Sequence, residues 1–453
     1  MTRHSKGRSA ALALGAIVVG SGLARVSPVQ DAITAAPVTA AVQVQPMAYL
    51  VGAPLFGIWD SLSLLTLSQH YAVLVTLIVL YVVWRARASR ASVHRARPPV
   101  LRRARREAVL GGLSLAALLG FYAAGVALPR PMTGIDLEDA DLVAIDFHSH
   151  TNHSHDGWRM FTAPRNRAWH EAAGFDVAYV TDHYTWQGVD EAAADNPSRA
   201  GERTVLLSGA EIRIHRRPTN ILGDRHRYLF ALDADSVYMD PDSIAAGYAR
   251  LGVAPTLLYT MPGGLGFVLP FSAELPSGVI GIELNDGSPR GLEQVRAERA
   301  EILALADSMN LALLGAANLH GWGRTAASWS VMRIPGWQQM APEELGAAIE
   351  RELHATRRNA VQVVERRMPY HRGSPAGLAL TLPWLTLEHF RMLSLAERVS
   401  WLGWIAGWVV AMQMAGAWPR VTLPRLDGAA RRGTPAPSPL PHFAGESTRY
   451  RRE

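Results

Sequence analysis

The sequence of 453 residues contains no cysteine, which excludes disulfide bonds, a thiolate nucleophile and cysteine-ligated zinc. Charged residues are also scarce, at 19% of the chain against 49% hydrophobic residues. This apolar composition excludes a disordered chain, and the length exceeds that of one small domain. Because the chain has no cysteine, any metal site must use His, carboxylate or amide ligands.

Positive charge is concentrated in short flanking segments, although the whole chain carries a net charge of +6. Residues 85–107 contain nine Arg and one Glu, and the first eight residues and the tail after Pro419 are also basic. The long segment 129–400 is acidic, with 25 Arg against 33 Asp and Glu. The basic charge of the chain therefore does not predict nucleic acid as a partner of the main domain.

Four hydrophobic segments predict membrane helices, because a bilayer core needs about 20 apolar residues. They are residues 9–24, 64–84, 109–128 and 399–418. The first is short enough to be either an anchor or a cleaved signal peptide. For the last two, buried helices of a soluble protein are the alternative. The expected lipid partner is the bilayer around these helices.

Arg-rich loops give the predicted orientation, because short basic loops stay in the cytoplasm. Residues 1–128 are then an N-terminal membrane region, and the chain is predicted to be an integral protein of a bacterial inner membrane. The main domain, residues 129–360, falls on the periplasmic side, and residues 361–398 form a connector near the membrane surface. The Pro- and Arg-rich tail 419–453 is predicted to be disordered.

Short apolar runs alternate with helix-like segments between residues 141 and 321, which predicts an α/β fold with parallel strands. Their continuous Leu and β-branched composition is typical of strands buried on both faces. In such folds, functional residues gather at the C-terminal ends of the strands. Seven strands are predicted, at residues 142–148, 177–182, 204–212, 227–232, 255–260, 278–284 and 311–318.

Histidines and carboxylates stand at the ends of these strands. His148 and His150 form an H-x-H pair, which points both imidazoles to one face of an extended strand. Imidazoles together with carboxylates are the ligands of hydrolytic Zn, Mn or Fe sites. Further candidates at successive strand ends are Asp156, Asp182, His183, Glu211, His226, Asn318 and His320.

The order of these motifs resembles the PHP (polymerase and histidinol phosphatase) domain family. The segments HSHTNHSHDG, TDH, GAE, HRYLFAL and NLH follow the family's pattern over roughly residues 141–360. The resemblance implies a distorted seven-stranded (β/α) barrel, here flanked by transmembrane α-helices. It also implies a site of up to three metal ions and hydrolysis, most often of phosphate esters.

The resemblance also implies which residues hold each ion. One ion would be held by His148, His150, Glu211 and Asn318. A second would be held by His183, His320 and either Asp156 or His155. A third would have only Glu211 and His226. We therefore expect two divalent ions, Zn, Mn or Fe.

Two residues depart from the family pattern, and the first motif also has one extra residue before Asp156, which makes His155 the alternative ligand. Met261 stands where the family has a histidine, so the third ion is expected to be weak or absent. Asn318 replaces an aspartate, which weakens cation binding but leaves an attacked phosphorus facing more positive charge. A degenerate domain that senses a metal or ligand without turnover therefore stays open as the alternative.

The predicted function is that of a membrane-anchored, metal-dependent phosphoesterase acting on a phosphorylated small molecule. A metal-bound hydroxide would attack the phosphorus at a two-metal site, with His183, His226 or Asp182 available for proton transfer. Arginines that follow the strands are candidates for binding the substrate phosphate, because guanidinium groups form paired hydrogen bonds with phosphate oxygens. These are Arg217, Arg290 and Arg324.

Overall fold

The fold is described from a computed structural model of the chain. The structure describes residues 3–90, 100–214, 217–224, 246–250, 252, 254–261, 264–265, 279–322, 325–368 and 374–417. The predicted strand 227–232 and the tail 419–453 lie outside the described residues.

The described helices are numbered here in chain order. They are α1 (Arg3–Gly20), α2 (Met47–Val51), α3 (Ala53–Ser63), α4 (Leu67–Arg90), α5 (Val100–Ala127), α6 (Ala163–Ala173), α7 (Gln187–Ala193), α8 (Pro289–Ala297), α9 (Arg299–Met309), α10 (Pro342–Thr356), α11 (Pro375–Ala379), α12 (Thr381–Met392) and α13 (Leu395–Ala417). Residues 246–250 are also helical. Short 3₁₀ helices occupy Ser21–Ala24, Ala200–Glu202, Trp337–Gln339 and Arg357–Asn359.

Twelve strands are found among the described residues. They are β1 (Val29–Asp31), β2 (Ala41–Val44), β3 (Gly134–Leu137), β4 (Leu142–Ser149), β5 (Val177–Val180), β6 (Val205–Ile214), β7 (Arg217–Leu222), β8 (Leu257–Tyr259), β9 (Val279–Asp286), β10 (Ala312–Ala316), β11 (Ser328–Arg333) and β12 (Gln362–Arg366). Six of the seven predicted strands coincide with β4, β5, β6, β8, β9 and β10.

The α/β class is confirmed, but the expected count of seven strands is wrong. Ten strands form one sheet in the order β1-β12-β11-β4-β5-β6-β7-β8-β9-β10, and β2 and β3 form a separate antiparallel pair. The neighbours β4–β5, β5–β6, β8–β9 and β9–β10 are parallel, as predicted. The added strands pair antiparallel and are short or polar, which hides them from a search for apolar runs.

The sheet extends past residue 360, where the sequence analysis placed the end of the main domain. Strand β12 lies within the segment expected to be a connector, and it pairs with β11 along most of its length. Strand β1, from the N-terminal membrane region, pairs with the other side of β12. Chain segments on both sides of the predicted domain therefore complete the same sheet.

The sheet curls so that β4 and the end of β10 come together. The backbone N–H of His150 donates to the carbonyl of Leu319 at 2.9 Å, and Ser149 and Leu319 form an isolated parallel bridge. A large apolar cluster fills the sheet and includes Phe147, Tyr179 and Leu313. This curl places residues that follow the first and last predicted strands beside each other.

In the part of the chain that the structure describes, three helices are long and apolar enough to cross a membrane, by length and composition. The candidate segments are Gly7–Ala24, Leu67–Ala88 and Val100–Ala127. They overlap the predicted spans 9–24, 64–84 and 109–128. The fourth predicted span, 399–418, falls on α13 and remains a prediction. The helices support membrane association, whereas the orientation of the chain stays a prediction.

Candidate metal centre

Two histidines and a glutamate meet at the carboxyl end of β4. His148 and His150 lie on the same side of the strand, and their Nε2 atoms are 3.0 Å apart. Glu211, from β6, places Oε2 at 3.0 Å from His148 Nε2 and 3.4 Å from His150 Nε2. All three side chains are buried, so three ligand atoms converge in a site largely shielded from water. We call these three residues the inner group.

A second set of three ligand atoms shares His150 with the inner group. His183 follows β5, and its Nε2 lies 3.4 Å from Oδ2 of Asp156. The rings of His150 and His183 stack with centroids 4.8 Å apart. Asp156 is exposed and His183 is partly exposed, so this set faces solvent. We call His150, Asp156 and His183 the outer group.

Each group could hold one metal ion, because its ligand atoms all lie within 4.8 Å of one another. In the inner group, the Nε2 atoms of His148 and His150 are in contact. A cation or a shared proton between the two nitrogens must stabilise this contact. In addition, the buried Nδ1 of His150 has no hydrogen-bond partner in the part of the chain that the structure describes. Two imidazoles and a carboxylate are a ligand set of zinc hydrolases. These residues therefore fit divalent ions.

Glu283 orients the inner group. Its Oε1 lies 2.7 Å from Nδ1 of His148, while its Oε2 accepts the backbone N–H of Met261 at 2.9 Å. A carboxylate on the second nitrogen of a metal-binding histidine fixes the ring and its tautomer. The sequence analysis assigned Glu283 no role, although a carboxylate inside the apolar run 278–284 is a signal that could have found it.

A second carboxylate, that of Asp146 within β4, supports the histidine pair. The carboxylate of Asp146 accepts from the backbone N–H groups of His148, at 3.1 Å, and Ala317, at 3.0 Å. Its other oxygen lies 2.9 Å from Nε2 of the buried His170. Asp146 therefore links β4 to the residues after β10, and the sequence analysis had assigned it no role.

Asn318 and His320 lie beside the two groups. The side chain of Asn318 donates to Asp286 at 3.0 Å and accepts from Nε2 of His320 at 2.9 Å. The His320 ring stacks on His150 with centroids 4.2 Å apart, and its Nδ1 is 3.3 Å from Asp156. Both ends of the Asn318 carboxamide are thus held by protein groups, and Asp286 is a further residue that the sequence analysis missed.

The remaining predicted residues are spread more widely. Asp182 is buried and accepts from the backbone N–H and the hydroxyl of Thr151, both at 2.6 Å, so it holds the loop that precedes Asp156. Exposed His155 contacts the ring of His183, with centroids 4.7 Å apart. Met261, at the position of the expected histidine, is fully buried.

The arginines expected to bind phosphate occupy different environments. Arg217 is buried in β7 and interacts with Tyr259, whereas Arg290 is exposed in the first turn of α8. Arg324 and the predicted ligand His226 lie outside the described residues. The structure therefore brings none of the described arginines into hydrogen bonds with the inner or outer group.

The electrostatics of the inner group favour a cation. Burial opposes charge on Glu211, but the imidazoles around it outweigh burial and lower its pKa. Burial also opposes charge on His148, and there Glu211 and Glu283 prevail and raise the pKa well above its usual range. Burial, together with the neighbouring imidazoles, lowers the pKa of His150. The inner group thus combines an ionised carboxylate with the neutral imidazole of His150, and His148 would release its proton when a metal binds.

Comparison with known proteins gives distant structural similarities. No protein-family model and no curated protein matches the chain. PsfC from Pseudomonas syringae PB-5123 is similar at 16% identity and a TM-score of 0.38, over 54% of this chain and 98% of that one.

Two further solved structures are similar at the same level. A two-domain protein of Bacteroides vulgatus, described as containing a predicted PHP-like metal-dependent phosphoesterase, shares 15% identity over 50% of this chain and 66% of that one, with a TM-score of 0.34. The lesion-specific endonuclease PfuEndoQ from Pyrococcus furiosus shares 14% identity over 46% and 56%, with a TM-score of 0.32. At these identities and TM-scores, the likeness assigns neither a family nor an activity to this chain.

Proposed function

We propose that this protein is a membrane-anchored, metal-dependent phosphoesterase that uses two divalent ions, Zn, Mn or Fe. The observation that carries the proposal is that two adjacent sets of three ligand atoms meet at His150, whose neutral imidazole would ligate one ion and line the site of the other. Two neighbouring ions, when bound, supply Lewis acidity toward phosphoryl oxygens and a lowered pKa for an attacking water. The order of motifs along the chain supports the same chemistry.

The described residues differ in how they would hold the two ions. The inner group is buried and supported by Glu283, so it would hold its ion firmly in one geometry. His183 is partly exposed, and burial of its ring is outweighed by Asp156 and Glu211, which raise its pKa. His183 must lose this proton to bind the outer ion, so binding of that ion should strengthen as pH rises. Asp182 would position the loop rather than touch substrate.

The test measures metal content and turnover of the full chain purified in detergent. Elemental analysis of the unmodified protein should give about two ions per chain. Hydrolysis of p-nitrophenyl phosphate should depend on added Mn, Zn or Fe. Replacing the residue common to both groups, His150→Ala, should remove at least one ion and lower kcat by at least about 100-fold, because one ion loses a ligand and the site of the other loses a side chain that lines it.

A matched control lies in the same loop. His153 is bonded to Gln187 and Glu191 and belongs to neither group. His153→Ala should keep its ions and its turnover. Unmodified protein with less than one ion per chain, or equal activity in His150→Ala, would refute the proposed function.

A second candidate is a metal- or ligand-sensing module without turnover. Asn318 favours it, because its amide oxygen is already engaged by His320 and adds no charge to hold a cation. Two bound ions together with no hydrolysis of a broad panel of phosphate esters would select this candidate.

A further inference from the structure

The first predicted membrane hairpin, α4 and α5, meets the sheet at the edge that carries the metal centre. At the start of α4, the backbone N–H of Ser68 donates to Glu293 at 2.9 Å, and its hydroxyl donates to the same carboxylate. Glu293 lies in α8, which begins three residues after the last residue of β9. The start of a candidate membrane helix is therefore fixed to the helix that follows Asp286.

The chain just after α5 contacts the segment that follows β10. Arg130, three residues after α5, donates to Thr325 Oγ1 at 2.9 Å and pairs with Asp60 of α3. Thr325 in turn donates to Asp60 at 2.5 Å. The side chains of Arg130 and Asp60 are only 4% and 7% exposed, so this is a buried, charge-assisted junction. Thr325 lies five residues after His320 along the chain.

The far ends of the two helices are paired with each other. Arg85 of α4 forms a bidentate pair with Glu107 of α5, with contacts of 2.8 and 2.6 Å. The Arg-rich segment lies between these two residues along the chain. One end of the hairpin therefore carries the basic loop, and the other end carries the metal-binding edge of the sheet.

The metal centre lies a short distance from the hairpin. Asp286, which binds Asn318, also accepts the backbone N–H of Ser288, the residue that caps α8. From Ser288 to Glu293 is five residues, or about 8 Å along a helix. The metal centre and the start of α4 therefore lie at the same edge of the sheet, linked through Asp286 and α8.

Two tryptophans, Trp158 partly buried and Trp322 exposed, lie beside the same site. The rings of Trp158 and Trp322 stack at 5.4 Å with an interplanar angle of 8°, and the backbone N–H of Trp158 donates to the carbonyl of His320. Trp322 is 43% exposed and Met160 is 54% exposed. Tryptophan favours the membrane–water interface because its ring is apolar and its N–H is polar.

We infer that the metal centre faces the membrane and acts on a phosphate ester carried by a lipid at the bilayer surface. This inference rests on the proposed function and supplies its substrate class. The hairpin ties the edge of the sheet to the bilayer, and the apolar rim of Trp158, Met160 and Trp322 lies against the lipid. A soluble phosphate ester shares the headgroup chemistry but gains nothing from this placement.

The first test measures depth in the bilayer and does not require activity. Because the chain has no cysteine, a single introduced cysteine carries a unique spin label. Met160→Cys leaves the tryptophan pair intact, and Gln339→Cys is the matched control. Gln339 is exposed and lies in the turn after β11, whose last residue pairs with Leu142 at the opposite edge of the sheet.

The labelled full chain is reconstituted in phosphatidylcholine vesicles for measurement of label accessibility. The label at residue 160 should be accessible to oxygen and protected from a water-soluble nickel complex, as at a bilayer interface. The label at residue 339 should show the reverse. Equal exposure of both labels to the nickel complex would overturn the inference.

The second test compares two esters with the same headgroup. Phosphatidic acid in phosphatidylcholine vesicles should be hydrolysed with a kcat/KM at least tenfold above that for glycerol 3-phosphate, and Trp322→Ala should lower this ratio. Turnover of glycerol 3-phosphate alone would overturn the inference and leave the proposed function standing. Turnover of neither ester, together with none on the wider panel, would overturn both.

Discussion

Acidic side chains have different partners at the two edges of the main sheet. At the carboxyl ends of β4, β5 and β6, the carboxylates of Glu211 and Asp156 face imidazoles. At the opposite edge, Asp176 stands before β5 and accepts the backbone N–H of Ala144 at 2.8 Å. Glu211 and Asp156 can thus ligate a metal, whereas Asp176 completes a backbone hydrogen bond.

The pKa values follow these surroundings. Burial opposes charge on Asp156, but His183 and His320 outweigh it and hold its pKa below the usual range. At the other edge, burial raises the pKa of Asp176 to about 6, and the bond from Ala144 offsets only part of this. Asp156 is kept ionised among imidazoles, as a metal ligand must be. Asp176 stabilises the fold through its hydrogen bond with a backbone N–H group.

The largest effect on metal content and turnover is expected from Glu211→Ala. Oε2 of Glu211 lies within 3.5 Å of Nε2 of His148, His150 and His183, so the substitution leaves three imidazoles without their shared anion. We expect loss of the inner ion, weaker binding of the outer ion because His183 loses a contact, and a fall in kcat of about 1000-fold or more. Elemental analysis and turnover measure this. Exposed Glu202, at the opposite edge, provides the control Glu202→Ala, and equal losses in both variants would contradict the comparison.

A smaller effect is expected from Glu283→Gln. The amide keeps the size of the side chain but removes the charge that holds the ring of His148. Loss of such a supporting group typically lowers metal affinity by about 10- to 100-fold. Titration with Zn²⁺ in a competing chelator should show this change for the ion of the inner group. Glu301→Gln, an exposed residue of α9, should leave the affinity unchanged.

Asp156→Asn should affect only the outer group. Asp156 is exposed and contributes one of three ligands, so its ion exchanges with solvent more readily than the inner ion. We expect metal content to fall from two ions toward one, with affinity of the remaining ion within about threefold of the original. Loss of both ions would show that the two groups are not separable.

Much of the site could be predicted from the sequence, because its ligands stand where apolar runs end. His148, His150, His183 and Glu211 were found in this way, since parallel buried strands bring their carboxyl ends to one edge. The sharing of His150 could not be predicted. It depends on the path of the loop 151–157, which returns Asp156 to the site.

The antiparallel strands show where pattern reading failed. Strand β7 reads RPTNIL and strand β11 reads SWSVMR, so neither forms an apolar run of the kind that predicted β4. They are held by neighbours on both sides, which compensates for low local preference. The backbone conformation of Asn318 could not be predicted either. Its φ of 42° lies in the left-handed region and depends on the turn after β10.

The smallest effect on the metal centre is expected from Asp176→Asn, which acts at the other edge. The folded pKa of Asp176, about 6, lies above its unfolded value, so folding retains a proton and the free energy of unfolding falls as pH rises from about 4 to 6. The amide can still accept from Ala144 but carries no charge to bury. The variant should therefore lose this part of the pH dependence and gain at most about 3 kcal/mol of stability at pH 7. Denaturant unfolding at pH 4, 5, 6 and 7 measures the change. Unaltered metal content with a flatter pH profile would separate the structural edge from the ligating edge, whereas lost ions would show that the two edges are coupled.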